Sequence, residues 1–341
     1  MTRSRQLVLL CLLPAVACGS NDAVQKSDGS FRIAHQADAH WQSDVAHTET
    51  ERALERHKDL AAVFAHDDEM ALAAAMACKQ KGRTGIKVLG VGGLPGRGLD
   101  YVADGRLDAT IQDMPNAAIV IDLALLACSG IVVHRQIGLG ARLYTKQNLT
   151  AGGQAQVAPG DFYVAMLRSQ HAEVLTTTPV IDIVFRFGMV ACPKDDPRGT
   201  YMEEELAAAA KRYPQVQLDV RPAGDNLEQR RSALHYLLEQ NYNAILVSAR
   251  ESASFAAICK EAVAQGIKVL VVGGQPNAEL DDEGYSCSIG CEDTAIGRAA
   301  AETIKTLVPK GGSVVEIQGT MTSSAAQQRH EGFAEALGQR R

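Results

Sequence analysis

Several residue groups in this sequence could do chemistry, and most of them fail on spacing. Gly90-Val91-Gly92-Gly93 follows an apolar run as a phosphate-cradling turn would, but Pro95 stands at the third glycine position of G-x-G-x-x-G. No G-K-[ST] loop occurs either, so nucleotide binding is not expected. Neither a Gly-x-Ser-x-Gly elbow nor a Ser-His-Asp arrangement is visible. The acidic pairs Asp67-Asp68 and Asp281-Asp282 read as caps and turns. His35, His40, His47, His57 and His66 crowd the first part of the chain. Their spacing spreads them over a strand, a loop and a helix, which does not converge on a metal. With Cys11 and Cys18 set aside, Cys78, Cys128, Cys192, Cys259, Cys287 and Cys291 remain, none in C-x-x-C spacing. Cys287 and Cys291 flank an expected strand end, where a disulfide is one alternative and buried free thiols the other. A net charge of -6, 5% aromatic residues and no basic block argue against a nucleic-acid partner. No catalytic group, metal or cofactor is expected.

The N-terminus carries a different kind of signal. Arg3 and Arg5 precede an apolar run from Leu7 to Ala17, too short to span a bilayer as a stable helix. It ends in Ala15-Val16-Ala17-Cys18. Small residues before a cysteine resemble the lipobox of bacterial lipoproteins, in which that cysteine is acylated and becomes the new N-terminus. Ala-Val-Ala also fits an ordinary cleavage site after Ala17. The run stops at Cys18 and a polar tether, residues 19–30, follows, which favours lipidation. Both readings export the chain to the periplasm or cell envelope.

The elements that must position any site follow from periodicity. The chain has 341 residues, 46% hydrophobic and 22% charged, enough for one two-lobed protein or two small domains. Two periodic blocks, residues 31–148 and 180–341, flank a weakly patterned stretch, 149–179, read as a linker. In the first block, strands are expected at Phe31–His35, Ala61–Ala65, Ile86–Val91 and Ala109–Gln112. Helices are expected near 43–57, 68–81 and 115–128, with Asp67 or Asp68 as a cap and Gly82 as a stop. The second block repeats the alternation, with strands at 181–190, 216–220, 244–248, 269–272, 285–289 and 313–318. Its helices fall near 200–213, 226–240, 254–265, 294–307 and 324–337. Strands separated by helices of this length imply right-handed βαβ units in parallel sheets, an α/β fold whose ligands gather beyond the strands' carboxyl ends.

Individual stretches carry a resemblance. Residues 62–72, Ala-Val-Phe-Ala-His-Asp-Asp-Glu-Met-Ala-Leu, resemble a segment of ribose-type periplasmic binding proteins, the type I family related to the lac-repressor core. Val88-Leu89-Gly90-Val91-Gly92-Gly93-Leu94-Pro95 and residues 104–111, Asp-Gly-Arg-Leu-Asp-Ala-Thr-Ile, do so as well. In that family these belong to the C-terminal half. The second block is similar to the family's N-terminal half at residues 266–272, at Ile296-Gly297-Arg298-Ala299-Ala300 and at Arg329-His330-Glu331-Gly332-Phe333. The continuation expected after Phe333 resembles residues 31–46. The resemblance therefore implies the family's two-lobed fold with its halves in reversed order. A circular permutation explains this, as does a tandem pair that lost its outer halves; one closed clamp is expected.

By the resemblance, Trp41, the only tryptophan, is a stacking aromatic, with a core or hinge role as the alternative. Asp67 matches a ligand-contacting residue at a strand end, or serves only as a helix cap. Asp113 aligns with a sugar-contacting Gln, and Arg329 with a sugar-bonding arginine at a helix start. Lys194, Asp195 and Arg198 follow the first strand of the second block, where the family's loop reaches the cleft. Gly92-Gly93 and Gly273-Gly274 replace three ligand-binding side chains of the family, and these glycines are expected to open space and expose backbone N–H groups. Trp41, Asp67 and Asp113 are expected to bind from one side and Arg329 from the other. The implied function is a monomeric solute-binding lipoprotein, acylated at Cys18, that offers a sugar or polyol to an ABC-transporter permease. A ligand sensor for a membrane receptor or kinase, and a remnant that no longer binds, are the alternatives.

Overall fold

The computed structural model describes residues 30–176, 184–193, 196–224, 226–276, 279–280, 283–321 and 323–339. Cys18, Lys194 and Asp195 lie outside the described residues.

The chain forms two α/β lobes. The first lobe holds β1 (Phe31–Asp38), α1 (Ser43–Arg56), β2 (Leu60–Ala65), α2 (Asp68–Gln80), β3 (Lys87–Val91), α3 (Gly98–Ala103) and β4 (Ala109–Gln112). The chain then enters the second lobe with α4 (Ala117–Cys128) and β5 (Gln136–Leu139), and returns to the first with β6 (Arg142–Thr145) and β7 (Gln154–Ala155). The rest of the second lobe is α5 (Pro159–Gln170), β8 (Phe185–Val190), α6 (Pro197–Ala210), β9 (Val216–Arg221), α7 (Leu227–Leu238), β10 (Ala244–Ser248), α8 (Ser252–Ala264), β11 (Lys268–Val272) and β12 (Cys287–Cys291). Finally α9 (Asp293–Leu307), β13 (Gly312–Gln318) and α10 (Ser324–Ala336) close the first lobe.

The first sheet runs β1-β13-β2-β3-β4-β6-β7, parallel apart from the antiparallel β4–β6 and β6–β7 pairs. The second runs β5-β12-β11-β10-β8-β9, and every pairing in it is parallel. β2 (LAAVFA) is apolar throughout, and β11 (KVLVV) is apolar after Lys268, because helices cover both sheet faces. In the first lobe Phe64 and Phe333 pack at a ring separation of 4.6 Å, both fully buried. Each such burial contributes roughly 1.5–3 kcal/mol. Strand β13 lies between β1 and β2, so the two ends of the chain are woven into one sheet.

The polypeptide crosses between lobes four times, at residues 113–116, 140–141, 156–158 and 292. The crossings brace one another: Glu292 N–H donates to the Leu139 carbonyl at 3.1 Å, and Gly140 N–H to Asp161 Oδ2 at 3.0 Å. Gly140 has no room for a side chain, since a Cβ there would lie 1.5 Å from the Gln156 carbonyl.

One expectation needs correcting. The 149–179 stretch is not a bare linker: it contains β7 and α5, and α5 buries Val164 and Leu167 in the second lobe's core. The blocks 31–148 and 180–341 each contribute strands to both sheets. Of the two alternatives for the cysteines, the free thiols hold: Cys287 and Cys291 both lie in β12, and the six cysteines among the described residues are free.

Candidate functional site

The carboxyl ends of β1, β13, β2, β3 and β4 face those of β8, β10 and β11 across the interlobe cleft, and the ionisable residues converge there. Asp113 begins the first crossing and is only 2% exposed. Its carboxylate accepts from Arg329 of α10 and from Arg198 of α6, the latter through both oxygens. Burial alone would raise the Asp113 carboxyl, but the two guanidinium charges outweigh it and hold the group below the usual range. Arg329, itself buried, donates to Asp293 Oδ1 at 2.8 Å and to the His66 carbonyl at 2.6 Å. Arg198 also reaches the Gly273 carbonyl at 3.4 Å.

Arg329 therefore does not approach from the opposite side, as expected from the sequence. Helix α10 packs on α9 in the first lobe, the lobe of Trp41 and Asp67. The arginine contributed by the second lobe is Arg198. Its ion pair with Asp113 spans the cleft, and its side chain is 27% exposed where Asp113 is sealed.

Asp67 sits at the end of β2 and caps α2, accepting from Met70 N–H at 2.6 Å. Burial pushes its carboxyl up to about 6. Trp41 lies just past β1, with His40 and Trp41 both in left-handed backbone (φ 52° and 62°). Such conformations cost about 1–3 kcal/mol each and persist where the surroundings impose them. The Trp41 indole covers Gly319, where a Cβ would meet the ring at 2.1 Å, and remains 38% exposed at the cleft mouth. Asp38 fixes this turn by accepting from His40 N–H at 2.9 Å and Met321 N–H at 3.1 Å.

The two glycine pairs differ from each other, which also corrects the expectation that both open space. At Gly92-Gly93 the space is filled by Asp68. A Cβ on Gly92 would lie 2.8 Å from Asp68 Oδ2, and Gly93 N–H donates to that oxygen at 2.7 Å. Gly92 N–H is bonded to the Ile111 carbonyl. Asp68 also accepts from Thr110 Oγ1 at 2.6 Å, and burial pushes its carboxyl up to about 7. At Gly273, by contrast, an added Cβ would meet nothing within 4 Å.

Behind the first lobe's rim lies a buried network that the sequence reading missed. His66 and Glu316, both fully buried, approach at 3.1 Å, and His330 reaches the other Glu316 oxygen at 2.8 Å. Gly319 N–H donates to His66 Nδ1, so the imidazole proton sits on Nε2 and points at Glu316. Burial lowers the His66 pKa and favours its neutral form. Burial alone would raise Glu316, but the hydrogen bonds from His330 and His66 pull it down to about 2. An acid inside a Val-rich strand, Gly-Ser-Val-Val-Glu-Ile-Gln, was the available signal. Asp293, in the first turn of α9, reads in sequence only as an acid favoured by a helix dipole. No group of His, Cys, Asp or Glu among the described residues is arranged to hold a metal ion.

Comparison with known proteins agrees with this architecture. The model of the periplasmic binding protein domain matches residues 18–130 and 187–340. The ribose import binding protein of Salmonella typhimurium is 36% identical over 96 residues, 28% of this chain and 32% of that protein. The Escherichia coli ribose import binding protein matches to the same extent. The chain spans about a third of the length of the curated relatives it matches. Among solved structures, the fructose-binding periplasmic domain of a hybrid two-component system is 30% identical, with 45% of this chain and 50% of that one covered and a TM-score of 0.37. A periplasmic ribose ABC transporter protein from Conexibacter woesei is 19% identical, with 46% and 50% covered and a TM-score of 0.40. With the family match running through both lobes and both walls of the cleft, the chain belongs to the periplasmic binding protein domain family, on its type I two-lobed fold.

Proposed function

We propose that this chain binds a sugar or polyol between its lobes and, held to a membrane through Cys18, delivers it to an ABC-transporter permease. The observation that carries the binding reading is the set of groups at the cleft: Asp113 and Arg329 on the first lobe and Arg198 on the second. Carboxylates and guanidinium groups form strong, directional bonds to neutral hydroxyls in a desolvated site. Trp41 and Asp67 complete the first lobe's side of it. The ligand works by touching both lobes, which shifts a hinge equilibrium carried by the four crossings. Here it competes with, or inserts into, the Arg198–Asp113 pair.

The reversed order of the halves is read as a circular permutation. Its support is that β1 and β13, from opposite ends of the chain, lie side by side in one sheet, and that the 149–179 stretch supplies one of the four crossings between lobes. The alternative of two half-domains leaves each with an unpartnered hinge.

Thermal unfolding of the soluble chain, starting after Cys18, against a panel of monosaccharides and polyols tests the reading. Binding to the native state alone raises the melting temperature, by RT ln(1 + [L]/Kd) in free energy. A ligand-specific rise that Arg198→Ala weakens is the expected result. No rise with any sugar or polyol would contradict it.

A further inference from the structure

The two walls of the cleft differ sharply in chemistry. The first lobe presents Asp67, Asp113, Arg329 and Trp41. The second lobe's wall holds a small cavity of about 30 Å³ at the carboxyl ends of β8, β10 and β11, lined chiefly by Met114, Met189, Met202, Leu246 and Val272. On its measure this space takes one or two water-sized groups. The polar side chains in its lining are Cys192, Asp196, Arg198 and Ser248, the last at the end of β10. Asp196 caps α6 by accepting from Gly199 N–H at 3.0 Å, and Arg198 is held by Asp113 and the Gly273 carbonyl. The Cys192 thiol, pushed up to about 12 by burial, stays protonated and is a weak partner. Beside Gly273, no atom lies where a side chain would project into the cleft.

Such a wall suits carbon better than oxygen. A hydroxyl turned into it leaves water and meets mainly thioethers and aliphatic groups, with Ser248 the one hydroxyl side chain in the lining, so most of its lost bonds are not replaced. A methyl group is buried there without that loss, and methionines adapt their shape to it. Building on the sugar-binding reading above, we propose that the ligand is a deoxy or O-methylated sugar whose methyl-bearing carbon enters the cavity of Met114, Met189 and Met202, while its hydroxyls face Asp67, Asp113 and Arg329. An apolar pocket rejects an added hydroxyl by about a hundredfold at most, and a missing methylene changes affinity by about 10- to 200-fold. The expected preference for the methyl-bearing member of a matched pair is therefore about ten- to a hundredfold.

Calorimetric titration of the soluble chain with matched sugars tests this: L-fucose against L-galactose, L-rhamnose against L-mannose, and 3-O-methyl-D-glucose against D-glucose, with the common aldopentoses and aldohexoses alongside. Tighter binding of a methyl-bearing member, reduced towards parity by Met114→Gln or by Met202→Gln, is the expected result. The paired substitutions guard against one variant failing to fold, which circular dichroism reports. Binding of a fully hydroxylated sugar equal to or tighter than its methyl-bearing counterpart would overturn this inference while leaving the sugar-binding reading intact. An absence of binding by every sugar would overturn both.

Discussion

The two arginines on Asp113 should be unequal partners, and the inequality can be measured. Arg329 and Asp113 are 5% and 2% exposed, so removing either strands a buried charge on the other. Breaking a buried pair in this way costs on the order of 3–5 kcal/mol. Arg329 keeps Asp293 and the His66 carbonyl when Asp113 is lost, which places the expected cost of Asp113→Ala near the lower end. Arg198 is 27% exposed and its pair spans the cleft, so water screens it and opening of the lobes releases it. Its coupling to Asp113 should be about 1 kcal/mol or less, as for partly solvated pairs. Urea unfolding of the wild type, the three single alanine variants and the two double variants isolates both couplings. An Arg329–Asp113 coupling larger by about 1 kcal/mol or more is expected. A coupling through Arg198 that equals or exceeds it would refute the assignment of Arg329 and Asp113 to one lobe.

Two further predictions concern pH. Asp68 is raised to about 7 in the folded state from an ordinary value near 3.8, so its stabilising contribution is complete below about pH 4 and is lost as pH rises through 7. Asp68→Asn, which keeps an acceptor for Gly93 N–H, should flatten this part of the stability profile in urea titrations across pH 4–8; an unchanged profile would show that Asp68 is not the group responsible. Glu316 runs the other way. Depressed to about 2 from 4.5, it stabilises the fold above about pH 4.5, and that contribution, on the order of a few kcal/mol, is lost as pH falls through 2. Glu316→Gln should lower stability at pH 6 and weaken its acid dependence; equal slopes for variant and wild type between pH 2 and 5 would contradict the network.

The sequence made the long, regular elements legible because their periods are clean. β2, β3, β10 and β11 are apolar on both faces, and α2 carries a visible Asp67 cap. The short pieces left no such trace. β5 and β6 have four residues each, parted only by the Gly140-Ala141 crossing. Helix α5 was hidden because Phe162 and Met166, 71% and 46% exposed, place apolar residues off its buried stripe. The arginine geometry was also illegible. Arg329 follows β13, and the side on which it stands depends on how β13 inserts between β1 and β2, which no local pattern encodes. Gly92-Gly93 misled for a related reason. In sequence Asp68 is the second acid of a helix cap, and nothing local reveals that its carboxylate turns inward to fill the space beside those glycines.

The central claim is that a sugar enters the cleft between Trp41 and the arginine-bound Asp113. Trp41 is the chain's only tryptophan and is 38% exposed at the cleft mouth, so its fluorescence reports on that place alone. Titrating the soluble chain with the sugar that gives the largest thermal shift should produce a saturable change in Trp41 emission. The change should be lost together with the thermal shift in Asp113→Ala and in Arg198→Ala. A thermal shift that leaves Trp41 emission unaltered, or that survives both substitutions, would place the ligand elsewhere and contradict the account.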